Sequence, residues 1–168
     1  GFPFQTERNQ FDAVGDDPAA DITFIATPVH AVADEARRAL ATSQGVVTDV
    51  GGVKASIVES VSDARFVGGH PMAGSEQEGV EGAAAELFEG ATWVLTPTEG
   101  TDASAFAGVR QIVGTLGAEV VALPPDRHDQ VAGEGEIDRA EEPRIVVDQS
   151  EGSQVSGLPP IVVAGTRK

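Results

Sequence analysis

The sequence contains no cysteine and few basic residues. Without cysteine the chain can form neither disulfides nor thiolate metal sites, and a cysteine nucleophile is excluded as well. Only 11 residues are lysine or arginine, against 27 aspartates and glutamates, which leaves a net charge of −16. Because phosphate backbones are bound by clustered lysine and arginine, we expect no nucleic-acid partner.

Long apolar runs are also missing, and none approaches the roughly 20 residues that a membrane-spanning helix needs. The start of the chain, GFPFQTERNQ, lacks the basic segment and apolar stretch of a signal peptide. We therefore expect a cytoplasmic protein without a membrane role. With 40% hydrophobic and 23% charged residues, the 168-residue chain has the composition and length of one globular domain.

Short β-branched runs alternate with stretches of helical period between residues 21 and 132. This alternation is typical of βαβ units, whose crossovers place helices over a parallel sheet. Thr27 as N-cap and Pro28 at the first helical position predict a helix start, and Gly117 predicts a helix end. We predict an α/β fold with an incomplete, doubly wound parallel sheet and helices on both faces. The predicted strands cover residues 21–26, 45–49, 65–69, 92–96 and 118–123.

Residues 1–20 and 133–168 lack this alternation. The first segment holds no strand-like run, and the second scatters short apolar groups at 145–147 and 161–163 among glycines, prolines and acids. We expect both segments to be poorly ordered or weakly packed around one domain at 21–132.

The first candidate site is the turn from the strand at 21–26 into the following helix. Ala26, Thr27 and Pro28 lie at this turn, where the N–H groups of a helix start favour a dinucleotide or another anion. An ordinary strand-to-helix turn has the same sequence character, so both interpretations stay open.

The second candidate site is TDVGGVK, residues 48–54. Gly51 and Gly52 let a ligand approach the backbone. Lys54 falls in the first turn of a predicted helix at 53–62, where the helix dipole disfavours a cation. Such a lysine is expected either to bind an anionic group of a ligand or to be neutralised by Asp49.

The third candidate site is FVGGHPMAGSEQEGVEGA, a strand followed by a polar loop, where α/β enzymes place chemistry. His70 lies beside the stiff Pro71, with Gly74 and Ser75 as nearby donors. A histidine with an ordinary pKa near 6.5 can accept a substrate hydroxyl proton at neutral pH. His70 is therefore the candidate general base.

The other two histidines, His30 and His128, are expected to be solvated surface residues. Neither has a metal-ligand spacing to His70, and cysteine is absent, so no metal site is predicted.

In their order and spacing, the segments ATPV, VTDVGGVK, FVGGHPMAGSE and LFEGATWVLTPTEGTD resemble the prephenate and arogenate dehydrogenases. The resemblance runs from about Asp21 to Ala132, and GGHPMAGSE is its most specific block. It implies a Rossmann-like nucleotide-binding domain. It also implies an NAD- or NADP-dependent oxidative decarboxylation of prephenate to 4-hydroxyphenylpyruvate in tyrosine biosynthesis.

The resemblance further implies roles for single residues. The histidine that matches His70 takes the proton of the substrate's ring hydroxyl while the cofactor accepts a hydride. Cofactor contacts are implied for Ala26, Thr27, Pro28, Gly51 and Gly52, and substrate contacts for Ser75, Glu76 and Lys54.

The sequence departs from the family pattern in three places. Many members carry a serine where this chain has Gly52. No Gly-x-Gly-x-x-Gly loop follows a strand, since GEGEID at 133–138 lacks the strand-to-helix context, so we expect weak NAD binding by the chain. From Gly133 the sequence also leaves the pattern of the family's helical domain, which supplies the homodimer interface. This change of character suggests a gene fragment or a shifted reading frame.

Two other functions remain open at this point. One is a dehydrogenase that acts on arogenate or another hydroxy acid. The other is a non-catalytic interaction module on the same sheet, which the missing glycine loop favours and the GGHPMAGSE block disfavours. Formation of reduced cofactor that depends on prephenate or arogenate separates these functions.

Overall fold

In a computed structural model of the chain, the described residues are 18–73 and 86–134, together with the strand at 161–164. Within these ranges six strands and four helices follow one another. The strands are β1 (Ile22–Ile25), β2 (Val46–Asp49), β3 (Phe66–Pro71), β4 (Thr92–Thr96), β5 (Glu119–Ala122) and β6 (Ile161–Ala164). The helices are α1 (Val29–Thr42), α2 (Ala55–Ser60), α3 (Ala103–Thr115) and α4 (Pro125–Glu134). None of the helices in these ranges has the length and apolar character that a membrane crossing requires.

The strands form one sheet in the order β5-β4-β3-β2-β1-β6. β1 lies between β2 and β6 and runs parallel to both, and β2 runs parallel to β3. β4 is antiparallel to β3 and parallel to β5. The predicted α/β fold with a Rossmann-like sheet is confirmed, but the sheet is mixed and not parallel throughout.

The antiparallel pairing of β4 with β3 continues one residue beyond the paired strands. The N–H of Met72 donates a 2.7 Å hydrogen bond to the carbonyl of Thr92, directly beyond the paired residues Pro71 and Trp93. β4 therefore starts at the edge of the sheet where β3 ends, as in any antiparallel pair. The composition of a β-branched run does not indicate whether the strand is parallel or antiparallel to its neighbour. The alternation of strands and helices therefore predicted a parallel strand here.

Strand bounds differ from the prediction mainly in β3 and β6. β4 has the predicted bounds, and β1, β2 and β5 lie inside the predicted ranges. β3 extends through His70 and Pro71, because both residues pair with β4. β6 lies in the segment 133–168 that we expected to be irregular; its residues pair along the whole of β1. A run of four apolar residues is too short to stand out in the sequence, and the edge of β1 makes it a strand.

Two apolar clusters cover the two faces of the sheet. Along β1, Ile22 and Phe24 pack with residues of α3, while Ile25 packs with residues of α1 and α2. This alternation is expected for a strand buried on both faces. Burial of each large apolar side chain contributes roughly 1.5–3 kcal/mol. The packed helices therefore hold the carboxyl ends of the strands in place.

α3 has defined caps at both ends. The side chain of Asp102 accepts the N–H groups of Ser104 and Ala105 at 2.8 and 3.0 Å. Gly117 has a φ of 82°, a conformation that favours glycine just beyond a helix. The predicted helix end at Gly117 is confirmed.

Candidate active site

The carboxyl ends of β1, β2 and β3 meet at one edge of the sheet, because the three strands are adjacent and parallel. Residues 26–28 follow β1, residues 50–54 follow β2, and His70 lies near the end of β3. The described residues of all three candidate sites therefore lie along this edge. Ser75 and Glu76 lie outside the described residues.

Asp49 is fully buried at the end of β2 and ties this strand to β3. One carboxylate oxygen accepts the N–H of Gly51 at 2.9 Å, and the other accepts the N–H of Gly69 at 3.1 Å. Nζ of Lys54 pairs with the oxygen that also accepts from Gly51. Asp49 thereby holds the Gly51–Gly52 turn against the strand that carries His70.

Lys54 is the N-cap of α2 and has no exposed surface. Burial lowers the pKa of Lys54, and the Asp49 carboxylate opposes this shift. Burial likewise raises the pKa of Asp49, and Lys54 opposes it. Of the two roles considered for Lys54, the structure therefore supports neutralisation by Asp49. The expected substrate contact is replaced by this buried pair, because each partner offsets the desolvation of the other.

His70 and His128 form a direct hydrogen bond between their imidazole rings. Nδ1 of His70 lies 2.9 Å from Nε2 of His128, and the rings meet edge to face with centroids 5.1 Å apart. His128 is 1% exposed, so the expectation of a solvated residue unrelated to His70 is wrong. The reason is that PDRHDQ forms the beginning of α4 and not a surface turn. His30 is exposed, as expected.

Asp129 follows His128 on α4 and contacts its ring. Oδ1 of Asp129 lies 2.8 Å from Nδ1 of His128. The same carboxylate accepts the backbone N–H of Lys54 at 2.6 Å and that of Ala55 at 2.9 Å, at the start of α2. Partial burial raises the pKa of Asp129, but hydrogen bonds from Ala55, His128 and Lys54 outweigh this effect and lower the pKa overall. Asp129 therefore caps α2 from a distant part of the chain and orients His128.

The surroundings of His70 favour its neutral imidazole. Burial is the largest cause that lowers the pKa of His70 to about 4, followed by the electrostatic influence of His128 and Lys54, while Asp129 opposes the shift. At neutral pH the ring is therefore uncharged and can accept a proton.

Nε2 of His70 lies next to Gly52, and Gly52 is exposed to solvent. A Cβ atom built at Gly52 would lie 3.6 Å from this nitrogen, an ordinary van der Waals distance. The serine that many members of the resembled family carry here would thus fit without displacing His70. Gly52 leaves room for a Cβ-sized group beside Nε2, whereas Nδ1 contacts His128.

The end of β1 offers a polar atom and a helix start to a ligand. Oγ1 of Thr27 is buried and finds no hydrogen-bond partner within the part of the chain that the structure describes. The predicted N-cap role of Thr27 is wrong: the N-cap of α1 is Pro28, whose ψ of 144° keeps it extended, and its side chain cannot cap. The unpaired hydroxyl and the N–H groups at the start of this 14-residue helix suit a polar or anionic group.

Sequence reasoning misses His128 and Asp129, although a signal for them exists. Pro125 opens α4, a position that proline favours. Val131 lies three positions after His128, and both are buried, as expected for one face of a helix. A helix start at Pro125 would thus have predicted a buried His128. Among the described residues, no group of three or more His, Asp and Glu is placed to hold a metal ion.

The fold and the glycine-rich strand ends place the chain in the class of Rossmann-like nucleotide-binding domains. Comparison with known proteins identifies the family. The family model "Prephenate dehydrogenase, nucleotide-binding domain" matches residues 4–122. The chain therefore belongs to the prephenate dehydrogenase family and carries its nucleotide-binding domain. The match starts before Asp21 and ends before α4, so His128 and Asp129 lie beyond it.

Relatives and solved structures agree with this assignment. Prephenate dehydrogenase of Bacillus subtilis is 35% identical over 120 residues, which are 67% of this chain and 32% of that protein. The structure of prephenate dehydrogenase from Aquifex aeolicus in complex with hydroxyphenyl propionate and NAD+ has a TM-score of 0.65 at 34% identity, over 68% of this chain and 42% of that chain. Synechocystis arogenate dehydrogenase has a TM-score of 0.61 at 34% identity, over 68% and 42%. The chain spans about a third of the length of the curated relatives it matches.

Proposed function

We propose that the chain contributes the nucleotide-binding domain and the proton acceptor of an enzyme that oxidatively decarboxylates prephenate to 4-hydroxyphenylpyruvate, a step of tyrosine biosynthesis. The observation that carries this proposal is the environment of His70. Nε2 lies beside Gly52, where a Cβ-sized group fits 3.6 Å from it, while Nδ1 contacts His128. Family membership suggests the reaction, and this geometry suggests which nitrogen takes the proton.

In this proposal His70 accepts the proton of the substrate's ring hydroxyl at Nε2. Because its pKa is lowered to about 4, His70 stays neutral at neutral pH and keeps this acceptor available. NAD or NADP, when bound, supplies the acceptor for the hydride that leaves the same carbon. The substrate then loses carbon dioxide, and its ring becomes aromatic, which drives the reaction forward.

The ends of β1 and β2 suit a dinucleotide. The buried Thr27 hydroxyl and the start of α1 offer donors to polar groups. Gly51 and Gly52 carry no side chain, so a flat ring can approach the backbone beside His70. The Aquifex aeolicus relative was solved with NAD+. We accordingly assign cofactor contacts to Ala26, Thr27, Pro28, Gly51 and Gly52.

Substrate contacts are proposed for Ser75 and Glu76 from the resemblance alone. Arogenate is the alternative substrate, because Synechocystis arogenate dehydrogenase matches the chain at the same 34% identity as the Aquifex aeolicus enzyme. We further propose that the complete enzyme is a cytoplasmic homodimer without a nucleic-acid partner. The net charge of −16 disfavours binding of a polyanion, and sedimentation of the full-length gene product tests the dimer.

The test of this function is cofactor reduction by the full-length gene product, followed by absorbance. Prephenate and arogenate are each paired with NAD and with NADP, and we expect turnover with at least one pairing. His70→Asn should lower kcat by about 100- to 10,000-fold, the usual loss when a general base is removed. The control is Gln111→Ala, an exposed position on α3, which should leave kcat unchanged.

Two outcomes would overturn the proposal. Near-normal turnover of His70→Asn would remove His70 from the role of proton acceptor. Absence of turnover with every pairing, from protein that is folded, would favour the non-catalytic interaction module instead.

A further inference from the structure

We infer that Asp129, His128 and His70 form one hydrogen-bonded chain that sets the tautomer of His70 and takes up positive charge when His70 is protonated. In this hydrogen-bonded chain, His128 is a positioning residue, which acts on the substrate only through His70. The inference rests on the proposed role of His70 as proton acceptor, but the hydrogen bonds that support it involve no substrate atom.

The chain of hydrogen bonds starts at Asp129, whose ionised carboxylate can only accept. The N–H groups of Lys54 and Ala55 donate to its two oxygens at 2.6 and 2.9 Å. Both hydrogen bonds stabilise the carboxylate relative to the protonated acid. The third contact, with Nδ1 of His128 at 2.8 Å, therefore requires a proton on that nitrogen.

The tautomer of His128 dictates the tautomer of His70. A neutral His128 with its proton on Nδ1 has a bare Nε2, which can only accept. The 2.9 Å contact between the rings then requires a proton on Nδ1 of His70. A neutral His70 in this tautomer has a lone pair on Nε2, on the side of the ring that faces Gly52. The arrangement thus presents an acceptor to a substrate hydroxyl.

The burial of His128 strengthens this assignment. Its ring is 1% exposed, and both of its nitrogens have a protein partner. The opposite tautomer would set a lone pair of His128 against the carboxylate of Asp129 and break that hydrogen bond. A buried polar group without its partner costs about 1–3 kcal/mol, which disfavours this tautomer by about 5- to 150-fold.

Transfer of a proton along the hydrogen-bonded chain needs no further reactant. The O–H bond of the substrate breaks, and its proton binds Nε2 of His70, which becomes an imidazolium. The proton on Nδ1 of His70 can then move to Nε2 of His128, so the positive charge comes to lie next to Asp129. Lys54 repels a cation on His70, whereas the carboxylate of Asp129 contacts the ring of His128 directly. The transfer therefore moves the charge in the favourable direction.

Asp129 also couples the hydrogen-bonded chain to the Gly51–Gly52 turn, which faces His70. By capping α2, it holds the start of the helix that follows Gly51 and Gly52. One carboxylate thus fixes both the orientation of His128 and the segment beside which Nε2 of His70 lies. This double contact makes α4 part of the site.

The tautomers can be measured on the unmodified chain by heteronuclear NMR with isotope-labelled histidine, since the sequence has only three histidines. Through-bond correlation to the backbone assigns each ring, and exposed His30 serves as the internal reference. We expect His70 and His128 both to carry the proton on Nδ1, with a coupling across the hydrogen bond between them. A proton on Nε2 of either ring at neutral pH overturns the inference.

Two variants separate positioning from packing. His128→Gln keeps an oxygen that can accept the hydrogen bond from Nδ1–H of His70, and its kcat should stay within about 10-fold of wild type. His128→Phe keeps a ring but removes both nitrogens, and its kcat should fall about 100-fold, with His70 distributed over both tautomers and KM for the cofactor unchanged. Equal losses in the two variants, with the His70 tautomer unaltered, would contradict the inference.

This design also separates the inference from the proposed function. Normal turnover of His70→Asn would overturn the proposed function whatever tautomers the wild-type chain shows. A wrong tautomer in the wild-type chain would overturn the hydrogen-bonded chain even if His70→Asn were inactive.

Discussion

Nδ1 of His70 and Nε2 of His128 lie 2.9 Å apart, although 58 positions separate the two residues along the chain. His70 reaches this contact from β3 and His128 reaches it from α4, so the contact joins a strand to a helix. Regular elements hold a reactive geometry more tightly than loops do. Any shift of α4 against the sheet should therefore change the proton affinity of His70.

The lowered pKa of His70 should make the stability of the folded chain depend on pH between about 4 and 6.5. The unfolded chain binds a proton at His70 below about pH 6.5, whereas the folded chain resists protonation until about pH 4. The unfolded state holds more protons in this window, so the free energy of unfolding should decrease as the pH falls through it. Urea unfolding across the window should show a smaller decrease for His70→Asn, and identical slopes would contradict the lowered pKa.

Gly52→Ser should be tolerated and should place a hydroxyl next to His70. The added Cβ lies 3.6 Å from Nε2 of His70, so no atom must move, and the free energy of unfolding should change by less than about 0.5 kcal/mol. The NMR signal of Nε2 should shift, because a hydrogen-bond partner appears beside it. Gly52→Leu is the matched variant: it should fill the space and lower kcat while the protein remains folded. A Gly52→Ser protein with an unchanged Nε2 signal would argue against this geometry.

Asp49→Asn should destabilise the chain by about 3–5 kcal/mol, because it leaves the buried Lys54 ammonium without its counter-charge. Lys54→Met in the same chain removes the second charge and should restore much of the loss. Urea unfolding of the two single variants and the double variant gives the coupling energy of the pair. Additive losses, without any recovery in the double variant, would mean that the two side chains do not stabilise each other.

Gly69→Ala should destabilise the chain by about 1–3 kcal/mol, since its Cβ would lie only 2.7 Å from the backbone oxygen of Asp49. The control is Gly114→Ala on α3, where a Cβ meets nothing within 4 Å. There the substitution should stabilise by about 0.5–1 kcal/mol, because alanine loses less backbone entropy in a helix. Thermal unfolding that ranks the two variants in the opposite order would contradict the close approach at Gly69.

Thr27→Val should separate cofactor binding from stability. The hydroxyl of Thr27 has no hydrogen-bond partner among the described residues, so its removal should leave the melting temperature unchanged or slightly raised. In the full-length gene product, calorimetric titration should show about 5- to 10-fold weaker dinucleotide binding, as for the loss of one hydrogen bond. Thr27→Ser, which keeps the hydroxyl, is the control. Equal affinities for valine and threonine would remove this hydroxyl from the cofactor site.

Local sequence patterns predicted most of the elements that position the site. The run Thr92–Thr96 was readable as a strand because β-branched and aromatic residues fit a buried pleated surface. Its direction was not readable, because direction depends on where the preceding segment returns to the sheet. The run at 161–164 became a strand through pairing with β1, which no property of that run alone indicates.

The partners of the site residues were harder to predict than the residues themselves. The sequence shows that Lys54 conflicts with the helix dipole, and it offers pairing with Asp49 as one of two explanations. His128 was missed because its two ring partners are Asp129, beside it, and His70, far away in the chain. The helix start at Pro125 and the spacing to Val131 indicate that His128 is buried, but they do not indicate its contact with His70. That contact depends on the packing of α4 on the sheet.

The placement of His70 inside β3 has a consequence for how this family domain can change in evolution. Side chains along a strand point alternately to its two faces, so the direction of the imidazole depends on its count from the start of β3. Insertion or deletion of a single residue between Phe66 and Gly69 would turn the imidazole to the opposite face of the sheet. A residue next to His70 would then pair with Val94 in its place. The length of this short segment is thus under the same constraint as the histidine, even though no residue in it needs to take part in the chemistry.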